Sequence, residues 1–177
     1  MEHRFVFAGF GGQGVLSMGM LVTYAGMLEG KQVSWLPSYG PEMRGGTANC
    51  NVIVSDALVS SPIVTAPTAA VVMNRPSLDK FGPLVEKNGL LFINSSLIDA
   101  KSDRGDIGVY YVPANDIAIG LGNARVANMV MLGAFLKKTG SVSPQSVMDS
   151  FLKVLGENKA KLIPINEKAL EAGLNAV

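Results

Sequence analysis

The run Gly9-Phe10-Gly11-Gly12-Gln13-Gly14 constrains this chain more than any other feature. It lies between an apolar segment and a helix-patterned one. Upstream, Arg4 to Ala8 carries Phe5, Val6 and Phe7 in series, the texture of a short strand buried on both faces. Downstream, Val15 to Glu29 has helical spacing that lets Leu16, Gly19 or Met20, Tyr24 and Met27 or Leu28 share one face. Gly30 suits a left-handed helix end. Gln32 to Leu36 reads as the next strand. Strand, glycine turn, helix and strand together predict an α/β fold closed by a right-handed parallel crossover.

Gly9, Gly11 and Gly14 have the GxGxxG spacing in the context that a phosphate-binding turn requires. Residues without Cβ let the backbone turn tightly, and a helix N-terminus offers unpaired N–H groups to an anion. The dinucleotide form adds an acidic residue at the end of the second strand to hold a ribose hydroxyl. Here that strand ends Ser34-Trp35-Leu36-Pro37, with no Asp or Glu. Phosphate binding of another kind and tight helix–sheet packing both remain open, and an independent NAD-type protein is the weakest reading.

The second candidate region is Pro37 to Gly46, with two prolines and three glycines among Ser38, Tyr39, Glu42, Met43 and Arg44. Such residues hold a loop in a defined conformation, as a binding loop or a subunit-interface loop requires. Arg44 is suited to a phosphate or carboxylate.

Beyond it, strands are expected at Thr47 to Ser55, Ala69 to Asn74, Leu90 to Asn94 and Val109 to Val112, with a turn and edge segment from Ser60 to Pro67. Helices are expected at Pro76 to Phe81, Ala114 to Leu121 and Ala124 to Thr139, from Ser143 to about Leu155, and from Asn166 to Ala172. Asn123 suits an N-cap. Asn128 and Arg125 face a ligand or serve buried hydrogen bonds. No repeat or linker interrupts residues 1–177, so one domain is expected.

Composition removes several classes of function. A formal charge of +1 gives no field to draw nucleic acid or an anionic membrane. The single cysteine, Cys50, and single histidine, His3, supply neither a disulfide nor metal-ligand spacing, and no catalytic triad is available. The N-terminal residues lack signal-peptide organisation and no apolar run reaches membrane-spanning length, so a cytoplasmic protein is expected. Charged residues make up 16%, against the roughly 25% usual for a globular chain, which points to surface covered by partners or to a well-covered sheet.

Gly9 to Val15 followed by Ser38-Tyr39-Gly40-Pro41-Glu42-Met43-Arg44-Gly45-Gly46 closely resembles the gamma subunit of 2-oxoacid:ferredoxin oxidoreductases, and the run from Asn123 to Ala134 is similar to that family as well. The second motif looks more like the 2-oxoglutarate or branched-chain enzymes than the pyruvate type. The indolepyruvate enzyme's small subunit is similar in the glycine turn and departs in the second motif. The resemblance implies a three-layer α/β/α domain with a mainly parallel, Rossmann-like sheet, similar also to domain III of pyruvate:ferredoxin oxidoreductase. It implies a chain inactive alone, with thiamine diphosphate and iron–sulfur clusters held by alpha, beta and ferredoxin-like delta subunits, and with ferredoxin accepting the electrons. It associates the gamma-type domain with coenzyme A, and an isolated chain is free to pair with itself through the surface that meets those partners. The residues that carry this expectation are Gly9, Gly11, Gly12, Gln13, Gly14, Ser38, Tyr39, Glu42, Arg44, Gly45, Gly46, Asn123 and Asn128. None is expected to be catalytic or a metal ligand.

Overall fold

The computed structural model describes residues 1–39 and 46–177. Its strands are β1 (Glu2–Phe10), β2 (Gln32–Tyr39), β3 (Thr47–Ser55), β4 (Ala69–Val72), β5 (Leu90–Asn94) and β6 (Gly108–Val112). They form one sheet in the order β2-β3-β1-β4-β5-β6. The pairings β1–β4, β4–β5 and β5–β6 are parallel, while β3 runs antiparallel to both β1 and β2. The expected parallel relation of β1 and β2 therefore holds, but they are not neighbours. β3 turns back from β2 as a hairpin and inserts between them.

The helices are α1 (Val15–Leu28), α2 (Arg75–Phe81), α3 (Ala114–Gly120), α4 (Ala127–Thr139), α5 (Pro144–Asp149), α6 (Phe151–Leu155) and α7 (Ile163–Leu174). Strand alternation divides the core into two layers. Phe5, Phe7, Cys50, Val52, Val71 and Phe92 face the layer that contains α1 and α4. Val6, Ala8, Ala70, Val72, Leu91 and Ile93 face Leu78 and Phe81 of α2. Phe135 of α4 stands edge-on to Phe5, Phe7 and Phe92, with ring centroids 4.8, 5.1 and 5.7 Å away. Each such pair stabilises by about 0.5–1.5 kcal/mol beyond the area it buries. The α2 side is thinner, and Arg104 ties its covering segment down. The Arg104 guanidinium pairs with Asp106 and donates to the carbonyls of Gly82, Pro83 and Val85.

Three local expectations need correction. Ser60 to Pro67 contains no strand, consistent with Pro62 and Pro67 lacking the N–H that a ladder requires. The helix from Ser143 divides into α5 and α6 at Ser150, whose hydroxyl donates to the Ser146 carbonyl and so competes with the helical ladder. The last helix begins before Pro164 rather than after it, because proline is tolerated in a first turn. A 3-10 turn, Ala124–Val126, leads into α4.

Candidate functional site

The C-terminal end of β1 passes directly into the glycine turn and then into α1. Gly12 and Gly14 both have positive φ, at 94° and 76°. Gly14 is the N-cap of α1, and a Cβ there would stand 2.5 Å from Asn128 Nδ2. Among the described residues no side chain caps this helix end. The N–H groups of its first turn have no partners within the helix, so they remain available to an anion.

Gln13 shapes the turn from within. The Phe10 N–H donates to Gln13 Oε1 at 2.7 Å, and Gln13 Nε2 donates to the Met73 carbonyl at 3.1 Å. The amide thus ties the turn to the end of β4, where Met73 N–H also donates to the Ala8 carbonyl at 2.8 Å. Gly9 is enclosed here, with its Cβ position 2.7 Å from Gln13 Oε1 and 2.9 Å from Met73 Cβ.

The hairpin from β2 to β3 returns the chain to the same edge. Gly11 N–H donates to the Gly46 carbonyl at 2.9 Å. Register agrees, since Phe10 pairs with Thr47 and Tyr39 with Ala48. The glycine turn and the two described ends of the second motif, Ser38-Tyr39 and Gly46, therefore lie at one end of the sheet. Between them is a cavity of about 320 Å³ lined by Gly11, Gly12, Gly14, Ser17, Thr47 and Ala48.

The candidate residues separate into groups. Gly11, Gly12, Gly14 and Gly46 line the cavity, while Gly9 and Gln13 lie behind it as a brace. Asn128 packs against Gly14 from α4. Asn123 instead caps the 3-10 turn through a bond from the Arg125 N–H at 3.0 Å, as its N-cap reading anticipates. Ser38 lies exposed on β2. Gly40, Glu42, Arg44 and Gly45 lie outside the described residues, as does the side chain of Tyr39. Sequence reasoning did not single out Met73, Thr47 or Ala48, whose parts in the site come from backbone position.

Asn74 and Asn94 were missed too. Both are buried at the C-terminal ends of β4 and β5. Asn74 Oδ1 accepts from the Ser77 N–H at 2.8 Å and caps α2, and Asn94 Nδ2 donates to Asn115 Oδ1 at 2.8 Å. The other polar atom of each amide has no protein partner among the described residues. An asparagine closes each of the segments read as strands, Ala69 to Asn74 and Leu90 to Asn94, and that was the available signal.

Cys50 is buried beneath α1, with its thiol directed at the Val15 carbonyl 3.6 Å away. Burial pushes the Cys50 thiol up to about 12, so it stays protonated at neutral pH. The inert role expected of it agrees with that environment. An NAD-type site also loses ground: β2 contains no acidic residue, and β3 separates it from β1.

The fold and this edge define an α/β domain with a glycine turn at a helix N-terminus, tied to Gly46 at the entry to β3. Residues 4–176 match the family described as pyruvate ferredoxin/flavodoxin oxidoreductase. The chain belongs to that family, as a domain of its gamma-subunit type. It is 41% identical over 172 residues to the ketoisovalerate oxidoreductase subunit VorA of Methanothermobacter thermautotrophicus, covering 97% of this chain and 36% of VorA. The chain thus spans about a third of the length of the VorA relatives it matches. The crystal structure of the keto/oxoacid ferredoxin oxidoreductase gamma subunit from Geobacter sulfurreducens superposes with a TM-score of 0.82 at 28% identity, covering 98% of this chain and 97% of that one. A 2-oxoglutarate:ferredoxin oxidoreductase from Magnetococcus marinus, solved with 2-oxoglutarate, coenzyme A and succinyl-CoA, shares the fold. Its TM-score is 0.88 at 20% identity, over 99% of this chain and 31% of that one.

Proposed function

We propose that this chain, as one domain over residues 1–177, is the gamma subunit of a cytoplasmic 2-oxoacid:ferredoxin oxidoreductase and forms part of its coenzyme A site. The observation that carries the reading is the Gly11–Gly46 hydrogen bond, which brings the glycine turn and the second motif to one cavity. Coenzyme A, when bound in such an enzyme, accepts the acyl group as a thioester. Gly12 and Gly14 offer backbone N–H groups at a helix start to a pyrophosphate, and no Cβ blocks the approach. Arg44, two residues before Gly46 in the sequence, supplies the compensating cation. Thiamine diphosphate and the iron–sulfur clusters belong to partner subunits in this reading, and ferredoxin takes the electrons.

The substrate class follows the relatives. Ketoisovalerate is a branched-chain 2-oxoacid, and VorA is 41% identical to this chain. The 2-oxoglutarate enzyme remains the alternative that the second motif favours equally. Both are consistent with a gamma subunit that serves the acyl acceptor and does not itself read the oxoacid side chain.

The test is a coenzyme A titration of the intact enzyme carrying Arg44→Ala or Gly12→Ala. The expected result is an apparent KM for coenzyme A raised at least about tenfold, the loss of one charge-assisted contact, with subunit composition unchanged. A KM unchanged in both variants would make this subunit architectural, without a ligand of its own.

A further inference from the structure

Coenzyme A has two unlike ends, an adenine nucleotide and a flexible pantetheine arm that carries the reacting thiol. The cavity at the glycine turn has room and chemistry for one of them. Its volume, about 320 Å³, is at the lower limit of ligand pockets. Among the described residues its lining holds no ionisable side chain, and its polar side chains are Ser17 and Thr47. The rest is backbone of the turn together with the apolar Phe10, Val15, Leu16 and Ala48.

Anion binding by the turn does not account for Phe10. Val15 and Ala48 are buried, whereas Phe10 is 38% exposed although its strand has a neighbour on each side. Its backbone is fixed, since its N–H donates to Gln13 Oε1 at 2.7 Å and the residue pairs with Thr47 across the sheet. A large ring held in this way at a cavity wall is a platform for a nucleobase, every one of which has a π-face. Leu16, half-buried in the first turn of α1, adds apolar surface to the same space. Ser17, one residue further on, and Thr47, the cross-strand partner of Phe10, bring hydroxyls to it. A hydroxyl both donates and accepts, and so do the hydroxyls of a ribose.

The pantetheine arm fits less well. Its two amides need acceptors as well as donors when they are desolvated, and no amide or carboxylate side chain lines the cavity among the described residues. Its thiol must also reach the acyl group, which in the proposed function forms on thiamine diphosphate outside this chain. The end retained here is therefore the one that does not react. We infer that Phe10 stacks on the adenine of coenzyme A and that Ser17 and Thr47 hold its ribose. This chain then grips the nucleotide end and leaves the thiol arm free to extend towards its partners. The inference rests on the proposed function, since it takes the ligand from that reading and adds the base and the sugar to the pyrophosphate.

The test uses the intact enzyme, purified anaerobically, and two probes that separate the ends. ADP lacks the arm, and pantetheine lacks the nucleotide. ADP binding is read by calorimetry. The preference for coenzyme A over pantetheine as acyl acceptor is read as the ratio of their kcat/KM values. Phe10→Ala should weaken ADP binding at least about fivefold, the loss of one stacked base, and should narrow the preference by a similar factor. Phe10→Tyr keeps a ring and should retain both. Ser17→Ala, a small change within α1, should weaken ADP binding about threefold or more, the loss of one hydrogen bond. ADP bound as tightly by Phe10→Ala as by the wild type would overturn the inference. So would an equal loss of kcat/KM for coenzyme A and pantetheine in Phe10→Ala, because the nucleotide would then have no part in the effect. A wild-type enzyme whose turnover does not depend on coenzyme A would instead refute the functional reading beneath it.

Discussion

Helices α1 and α4 lie on the same side of the sheet and are both predominantly apolar, but they differ in what surrounds them. α4 is buried from Met129 to Leu136 and ends in Lys137 and Lys138, beside the C-terminus where cations are favourable. Its outer side is covered by α7, and the two helices approach so closely that glycine occupies the crossing on both. A Cβ on Gly173 would lie 1.9 Å from the Val130 carbonyl oxygen, and one on Gly133 would lie 2.1 Å from that of Leu170. α1 has the same apolar character and no charged residue, and its last two residues, Met27 and Leu28, are exposed. Apolarity in α4 is accounted for inside this chain. In α1 it is accounted for along the face buried from Val15 to Gly26, and Met27 and Leu28 at its end are left exposed.

Substitutions at the α4–α7 crossing should have the largest effect on that contrast. Gly173→Ala forces backbone apart at a helix crossing and should cost about 3 kcal/mol or more, read as a fall in the denaturation midpoint. Next is Gly14→Ala, which adds a side chain at positive φ and against Asn128. It should cost about 1–2 kcal/mol from the backbone alone. Combining it with Asn128→Ala should restore only the part due to the clash, which a double-mutant comparison separates.

Cys50, beneath α1, gives a pH-dependent test. Its folded-state pKa is raised by burial to about 12, so the folded chain holds this proton more tightly than the unfolded chain. The contribution is fully present below the ordinary thiol pKa and is lost as pH rises from there through about 12. The wild type should therefore lose stability more steeply than Cys50→Ala across that interval, whatever the cavity costs the variant. Equal slopes would mean that the thiol is not shielded. Smallest is Met27→Lys in the isolated chain, where the exposed end of α1 predicts a stability change within about 0.5 kcal/mol. A loss of several times that size would show that Met27 is covered within this chain, and the contrast with α4 would fail.

Much of this molecule could be read from local pattern. The strand at Thr47–Ser55, the glycine turn, the proline-marked helix starts at Ser143 and Asn74, and the left-handed Gly30 and Gly140 all have signals within a few residues. The insertion of β3 between β1 and β2 had none, because strand order is set by long-range pairing that periodicity does not encode. The site was legible in the same uneven way. Gly11, Gly12, Gly14 and Gly46 announce themselves by residue type, whereas Met73, Thr47 and Ala48 enter through carbonyl position and strand register. Gln13 looked like a ligand contact but braces the turn, since both ends of its amide are engaged within the protein. Asn74 and Asn94 each close a segment read as a strand, but only the β4–β5 pairing brings them to one place.

The central claim is that this chain works as the gamma subunit of a 2-oxoacid:ferredoxin oxidoreductase. The most direct measurement is anaerobic purification through a tag on the chain, followed by assay of the eluate for 2-oxoacid- and coenzyme A-dependent reduction of a viologen dye. The account predicts co-purifying subunits and dye reduction that requires both substrates, with ketoisovalerate or 2-oxoglutarate among the active oxoacids. A chain that elutes alone and reduces no dye with any 2-oxoacid would contradict it.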